Sequence, residues 1–136
     1  MTVYYRKNVV DLPHDVGVDQ ADGSRSSDGS PGYLSFGPYL ALSPGTYFGG
    51  FHVRKTAPCA HTVALDVDAS CKGGSVIVGK RSVSGDEILT DIAGLVGFSF
   101  DLTEPEDRFE LRLHVSPGAR VNVRDVVIFR LKPTAS

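Results

Sequence analysis

No tryptophan occurs in this chain, methionine occurs once, and cysteine occurs twice. Without tryptophan the largest side chain for covering a flat ligand is missing, and tyrosine and phenylalanine must serve instead. Two cysteines are too few for the disulfide framework of a small secreted scaffold. No stretch approaches the ~20 consecutive apolar residues that a membrane-spanning helix requires, so no membrane insertion by such a helix is expected. The first residues, MTVYYRKNVVDLPHD, lack the uninterrupted apolar region of a secretory signal, and a cytoplasmic location is expected. Charge of one sign is also lacking: the formal net charge is −2, which provides no overall attraction to nucleic acid or an anionic membrane. The catalytic signatures that identify themselves by spacing are absent too. There is no phosphate-binding Gly-rich loop, no Gly-x-Ser-x-Gly elbow and no His-Glu-x-x-His. The four histidines (His14, His52, His61 and His114) never fall four apart.

What is present describes one soluble domain. Hydrophobic residues make up 41% of the 136 positions and charged residues 22%, which suffices for a core without covalent staples. Fifteen glycines and eight prolines call for many turns. Cys59 and Cys71 bracket HTVALDVDA, read as a strand over about 62–68. Such a strand spans roughly 20 Å, beyond the ~5.5 Å Cα separation of a disulfide, so two free thiols are expected. With no Cys-x-x-Cys and no paired histidine nearby, zinc is not indicated.

Charge is uneven along the chain. Residues 11–28 carry five aspartates against one arginine, whereas 108–132 carry six basic residues against two acidic ones. Within the first region, residues 17–32 (GVDQADGSRSSDGSPG) are Gly, Ser, Asp or Pro at twelve of sixteen positions, which predicts a long loop or linker. Asp19, Asp22 and Asp28 make this loop the candidate for a structural calcium ion, although their spacing matches no EF-hand and Asp-Gly-Ser is ordinary turn chemistry. No other cofactor is expected.

From residue 33 onward the period is two. YLSF and PYLAL read as short strands joined across Gly37-Pro38, and Ser43-Pro44-Gly45 is a turn. TYFGGFHVRK then alternates Tyr47, Gly49, Phe51 and Val53 with Phe48, Gly50, His52 and Arg54. VALDV predicts Val63, Leu65 and Val67 inward, with Ala64, Asp66 and Asp68 outward. FELRLHV predicts Phe109, Leu111, Leu113 and Val115 inward, with Glu110, Arg112 and His114 outward. VNVRDVVIFRLK closes the chain as a long strand whose alternation slips near Arg124-Asp125, the mark of a bulge. GDEILTDIAGL places Ile88, Ile92 and Leu95 at helical spacing, but a loop ahead of the strand GFSFDL is the preferred reading. TVYYRKNVV predicts an edge strand. Many short strands with Pro/Gly turns predict an all-β, antiparallel β-sandwich of jelly-roll type, with 1–32 as edge strand plus flexible loop and 33–136 as the sandwich core.

Together GPYLALSPGTYFGGF (37–51), LDVDAS (65–70), FELRL (109–113) and VVIFRL (126–131) resemble the small carbohydrate-binding-module-like jelly-roll domains of bacterial surface-polysaccharide systems. Those domains are often joined to glycosyltransferases or polysaccharide-export components. The resemblance spans residues 33–132 and implies non-catalytic glycan recognition, a glycan ligand, such an enzyme or exporter as partner, and no catalytic residues.

Sugars present dense hydroxyls on a nearly planar ring, so they are held by charged groups making paired hydrogen bonds and by an aromatic covering the apolar ring face. If one sheet carried them all, Arg54 and Arg112 would be donors and Asp66 and Glu110 acceptors. His52 and His114 would lie beside them, with Tyr39 or Phe48 as the aromatic platform. Each has a plainer reading. Outward charges on strands are solubility devices and cross-strand pairs, and Tyr39 and Tyr47 would serve as core with their hydroxyls at the rim. The alternative function is an interaction module, self-associating or docking through an exposed Phe48 face or a free edge, without a sugar site.

Overall fold

A computed structural model describes residues 2–133. Among the described residues eleven strands form: β1 (Thr2–Asn8), β2 (Val18–Asp19), β3 (Arg25–Ser26), β4 (Gly32–Ser35), β5 (Pro38–Leu42), β6 (Gly45–Lys55), β7 (Leu65–Cys71), β8 (Val76–Val83), β9 (Gly94–Leu102), β10 (Glu106–Val115) and β11 (Val121–Pro133). Two 3-10 turns, Val9–Asp11 and Gly85–Glu87, complete the regular structure. One sheet runs β2-β3-β11-β6-β9, with β1 also on β11; the other runs β4-β10-β7-β8, with β5 also on β10. Every pairing is antiparallel, and the two layers make a β-sandwich of jelly-roll type.

Alternation explains which side chains meet between the layers. On β6, Tyr47, Phe51 and Val53 are fully buried, while Phe48, His52 and Arg54 lie on the other side. On β10, Phe109, Leu111, Leu113 and Val115 are likewise fully buried. Each such residue contributes about 1.5–3 kcal/mol relative to exposure. Tyr47 of β6, Phe100 of β9 and Phe109 of β10 stack in sequence, with centroids 5.7 and 5.1 Å apart, and so bridge the two sheets. The Tyr47 hydroxyl donates to Ser43 O at 2.7 Å, which gives this core tyrosine its rim partner. Where β6 and β9 run side by side, a β-carbon on Gly97 would fall 2.0 Å from Gly49 O, so only glycine permits the approach. The register of β11 skips between Val123 and Val126, the bulge that the broken alternation predicts.

Several expectations change. The strand expected at 62–68 begins at Leu65, so Val63 is exposed and Ala64 is buried, the reverse of the predicted phase. The preferred reading of residues 85–93 holds: they form one 3-10 turn and a loop ahead of β9. Residues 17–32, read as a flexible loop, contain β2 and β3 and a buried arginine. Arg25 is 1% exposed; its Nε donates to Asp19 Oδ1, Nη1 to Leu34 O at 3.0 Å and Nη2 to Leu12 O at 3.1 Å. Ser27 Oγ adds a bond to Ala119 O at 2.8 Å, and Asn122 Nδ2 reaches Ser24 Oγ and Ser26 Oγ. Composition hid this because small polar residues that look like linker serve here as backbone ties.

The three loop aspartates are occupied in the same way. Asp19 pairs with Arg25, Asp22 accepts from Ser24 N and Oγ, and Asp28 accepts from Ser30 N and Gly17 N. Among the described residues no group of three His, Cys, Asp or Glu is arranged to hold a metal. Both cysteines are free thiols and buried. Burial, then the nearby Glu106 carboxylate, pushes the Cys71 thiol up to about 11. Cys59 Sγ lies 3.1 Å from His61 Nδ1, and His61 Nε2 lies 2.8 Å from Pro117 O. A carbonyl only accepts, so Nε2 carries the ring hydrogen and Nδ1 accepts from the Cys59 thiol.

Replacing Arg25 with alanine strands two buried carbonyls and is expected to cost about 3 kcal/mol. At roughly 2–4 °C per kcal/mol for a chain of this size, the melting temperature falls by about 6–12 °C. A change as small as that of a typical surface substitution, within ~0.5 kcal/mol, would contradict the tie.

Hydrogen bonds hold three carboxyls below their usual value of 3.8: that of Asp19 through the Arg25 side chain, of Asp22 through the Ser24 hydroxyl, and of Asp28 through the Ser30 amide. A depressed carboxylate stabilises the fold above its unfolded pKa and loses that contribution only as pH falls through the lower folded value. Amide resonances of Ser24 and Ser30, followed by NMR during acid titration, are therefore expected to move with midpoints below 3.8. Midpoints at or above the ordinary carboxylate range would refute these bonds.

Candidate functional site

The outer face of the second sheet collects the polar side of β10 and β7. Alternation directs Glu110, Arg112 and His114 away from the core; β7 sets Asp66 opposite His114, Asp68 opposite Arg112 and Ser70 opposite Glu110. Arg112 Nε donates to Asp68 Oδ1 at 2.7 Å, and their side chains are only 16% and 8% exposed. The guanidinium lies 5.3 Å from the centre of the Tyr33 ring. Burial works against the Arg112 charge, but the Asp68 hydrogen bond and the charges of Asp68, Tyr33 and Glu110 outweigh it and hold the pKa above the ordinary arginine value. Arg112 thus stays charged and fixed, with Nε engaged. Among the described residues the two terminal nitrogens make no hydrogen bond or ion pair, so they remain available as donors.

A groove of about 260 Å³ opens beside this pair, lined by Asp15, Tyr33, Phe36, Tyr39, Gly73, Glu110 and Arg112. Its aromatic wall comes from β4 and β5, which pair in turn with the same edge of β10. Tyr33 meets Phe36 edge-on at 6.2 Å and His114 edge-on at 5.2 Å. Tyr39 is 48% exposed and holds a left-handed backbone, φ 65°, which a bulky residue occupies only at a cost. An exposed aromatic retained in such a conformation at a groove mouth is an outlier of the kind that gathers at binding sites. Glu110, 4% exposed, also lines it, and its carboxylate has no hydrogen bond or ion pair among the described residues. Gly74 approaches both charged groups: a β-carbon there would lie 2.9 Å from Arg112 Nη1 and 3.7 Å from Glu110 Oε2.

The eight residues expected on one face divide between opposite faces of the sandwich. Tyr39, Asp66, Glu110, Arg112 and His114 belong to the second sheet; Phe48, His52 and Arg54 belong to β6 of the first. Period-two reading assigns a side to each residue but cannot tell which strands share a sheet, and this is where the one-face expectation fails. Of the five on the second sheet, Tyr39, Glu110 and Arg112 line the groove. Asp66 instead accepts from Ser82 Oγ at 2.6 Å, and His114 backs Tyr33. Tyr39, weighed as core, is at the surface, whereas Tyr47 is core.

On the opposite face, His52 Nδ1 contacts Asp125, which is fully buried and also pairs with Arg6 at 2.7 Å. Phe48 lies with Leu95, Phe129 and Leu131 around an apolar hollow of about 290 Å³. Arg54 lines a separate polar pocket of about 340 Å³ with Asp22, Ser24, Asp91, Asn122 and Arg124. Sequence reasoning missed Asp15, Tyr33, Phe36 and the Asp68 tie to Arg112 as parts of the groove. The only signal for Tyr33 and Phe36 was their place in YLSF, the strand that enters the hairpin carrying Tyr39.

No protein-family model matches the chain, and no curated protein matches it. Solved structures do resemble it. The C-terminal CBM6 of LamC, a marine laminarinase from Zobellia galactanivorans, superposes with a TM-score of 0.54 at 12% identity, covering 94% of this chain and 93% of that one. A carbohydrate-binding module, CBM6cm-2 from Cellvibrio mixtus lichenase 5A in complex with cellotriose, gives 0.53 at 12% identity, over 95% of this chain and 98% of the other. The xylan-binding module CBM15 gives 0.55 at 12% identity, over 95% and 91%. At this identity the likeness is one of fold: the chain has the jelly-roll β-sandwich that these modules have.

Proposed function

We propose that this domain is a non-catalytic carbohydrate-binding module whose ligand lies along the groove of Tyr33, Tyr39, Glu110 and Arg112. The observation that carries the reading is the exposed Tyr39 ring standing beside a charge pair with unused hydrogen-bonding capacity. The terminal nitrogens of Arg112 can donate to two sugar oxygens, and the Glu110 carboxylate can accept from a ring hydroxyl pair. The Tyr39 ring supplies an apolar surface for the ring face. Fold likeness to carbohydrate-binding modules supports the proposal by analogy only, because a fold does not determine its site. A bacterial surface polysaccharide as ligand, and a glycosyltransferase or export component as partner, follow from the sequence resemblance alone and belong to the same proposal.

The half-open groove and its small contact area favour weak, reversible binding and a holding rather than a reacting role. The His52–Asp125 pair lies on the far face, and its second ring nitrogen has no hydrogen-bonding partner among the described residues.

Calorimetric titration of bacterial polysaccharides into the purified domain, following an array screen, tests the reading. Tyr39→Ala is expected to weaken binding about tenfold or more, equivalent to ~1.4 kcal/mol, while the melting temperature changes little, because the lost ring is half exposed and a β-carbon remains at the left-handed position. Arg112→Lys keeps the charge but loses the planar fork, and it is expected to weaken binding comparably. Arg112→Ala is the poorer probe, since it leaves the buried Asp68 carboxylate unpaired and lowers stability in its own right. Unchanged affinity in both Tyr39→Ala and Arg112→Lys would overturn the assignment of this groove.

A further inference from the structure

The groove face has a surplus of negative charge, and this bears on which sugars it takes. Four carboxylates, Asp15, Asp66, Asp68 and Glu110, stand on or beside it against two cations, Arg112 and the exposed Lys80 opposite Asp68. Arg112 is partly committed, because Nε is bound to Asp68. Lys80 forms no ion pair with Asp68 within 4.0 Å among the described residues. Glu110, a residue only 4% exposed, has no hydrogen bond or ion pair among the described residues and lines the groove. The one cation near it, Arg112, is shared with Asp68, so a ligand that brings a cation supplies a partner that the protein itself does not.

Resting on the glycan-binding reading above, we infer that the groove selects amino sugars with a free amine: a 2-amino-2-deoxy unit places its ammonium on Glu110 and the neighbouring hydroxyl oxygen on a terminal nitrogen of Arg112. The two groups stand near each other without bonding, both close to the backbone of Gly74, as a donor–acceptor pair on adjacent ring carbons requires. A neutral hydroxyl satisfies Glu110 with a hydrogen bond but without charge. An N-acetyl group replaces the cation with a bulkier neutral amide. A uronic acid adds a further carboxylate to a face that already carries four, and like charges at this range repel.

Four soluble probes decide the matter by calorimetry at neutral pH and moderate salt: the β-1,4-linked glucosamine trimer, its fully N-acetylated form, cellotriose and a galacturonate trimer. The expected order places the free-amine trimer at least tenfold tighter than its acetylated form and the galacturonate weakest. Glu110→Gln, equal in size, is expected to bring the glucosamine and N-acetylglucosamine trimers to within about threefold of each other and to keep a wild-type melting curve. Asp86→Asn, an exposed carboxylate outside the groove, is expected to leave the tenfold preference intact, which separates Glu110 from general attraction of a polycation to an acidic protein.

The inference is overturned if acetylated or acidic trimers bind as tightly as the free amine, or if Glu110→Gln retains the preference. A domain that binds cellotriose or the acetylated trimer without discrimination contradicts the selectivity but keeps the glycan site. A folded domain that binds none of the four, and no polysaccharide in the array, contradicts both.

Discussion

One strand, β10, has to satisfy two environments at once. Its odd positions, Phe109 through Val115, fill the space between the sheets, and Phe109 continues the aromatic stack that Tyr47 and Phe100 begin in the opposite layer. Its even positions, Glu110, Arg112 and His114, are consequently driven to the outer face, where they compose the groove. A slip of one residue would bury three polar groups and expose four apolar ones, so the register that builds the core also places the site. The Arg112–Asp68 bond then ties β10 to β7 on that face, and its remaining nitrogens face outward.

The rest of the groove is brought to β10 by segments that contribute little core. β4 and β5 share one of its edges, so the chain between them folds over the face and carries Tyr33, Phe36 and Tyr39 there. Arg25 holds the start of that segment: by donating to the carbonyls of Leu12 and Leu34 it fixes β4 next to the groove. The amide of Asp15 donates to Tyr33 O at 2.9 Å and secures the same place from the other side. A buried arginine in a Gly/Ser/Asp segment therefore acts on the aromatic wall through backbone carbonyls, with no side chain of its own in the groove.

Much of this was legible beforehand, and for a physical reason. Strand alternation depends on neighbours in sequence, so the inward sets of β6 and β10, the Ser-Pro-Gly turn and the bulge at Arg124-Asp125 could all be read. The failures concern relations between distant segments. Nothing local distinguishes the sheet of His52 and Arg54 from that of Arg112 and Glu110, and the two groups end on opposite faces. Arg25 looked like a lone charge in a linker because, Asp19 apart, its partners are two main-chain carbonyls, which leave no trace in composition. Tyr39 could be read as aromatic platform or as core, because period two gives it a side but not an exposure; its left-handed backbone has no signature in a residue that rarely adopts it.

The central claim is that the second sheet's outer face, and neither the apolar hollow around Phe48 nor the polar pocket around Asn122, is where a ligand binds. Amide chemical-shift mapping of the isotope-labelled domain during titration with the tightest-binding oligosaccharide tests it most directly. The account predicts perturbations concentrated at Tyr33, Tyr39, Gly73, Glu110 and Arg112, growing with saturation. Perturbations concentrated at Phe48 and Phe129, or at Asp22, Asp91 and Asn122, with the groove silent, would contradict it.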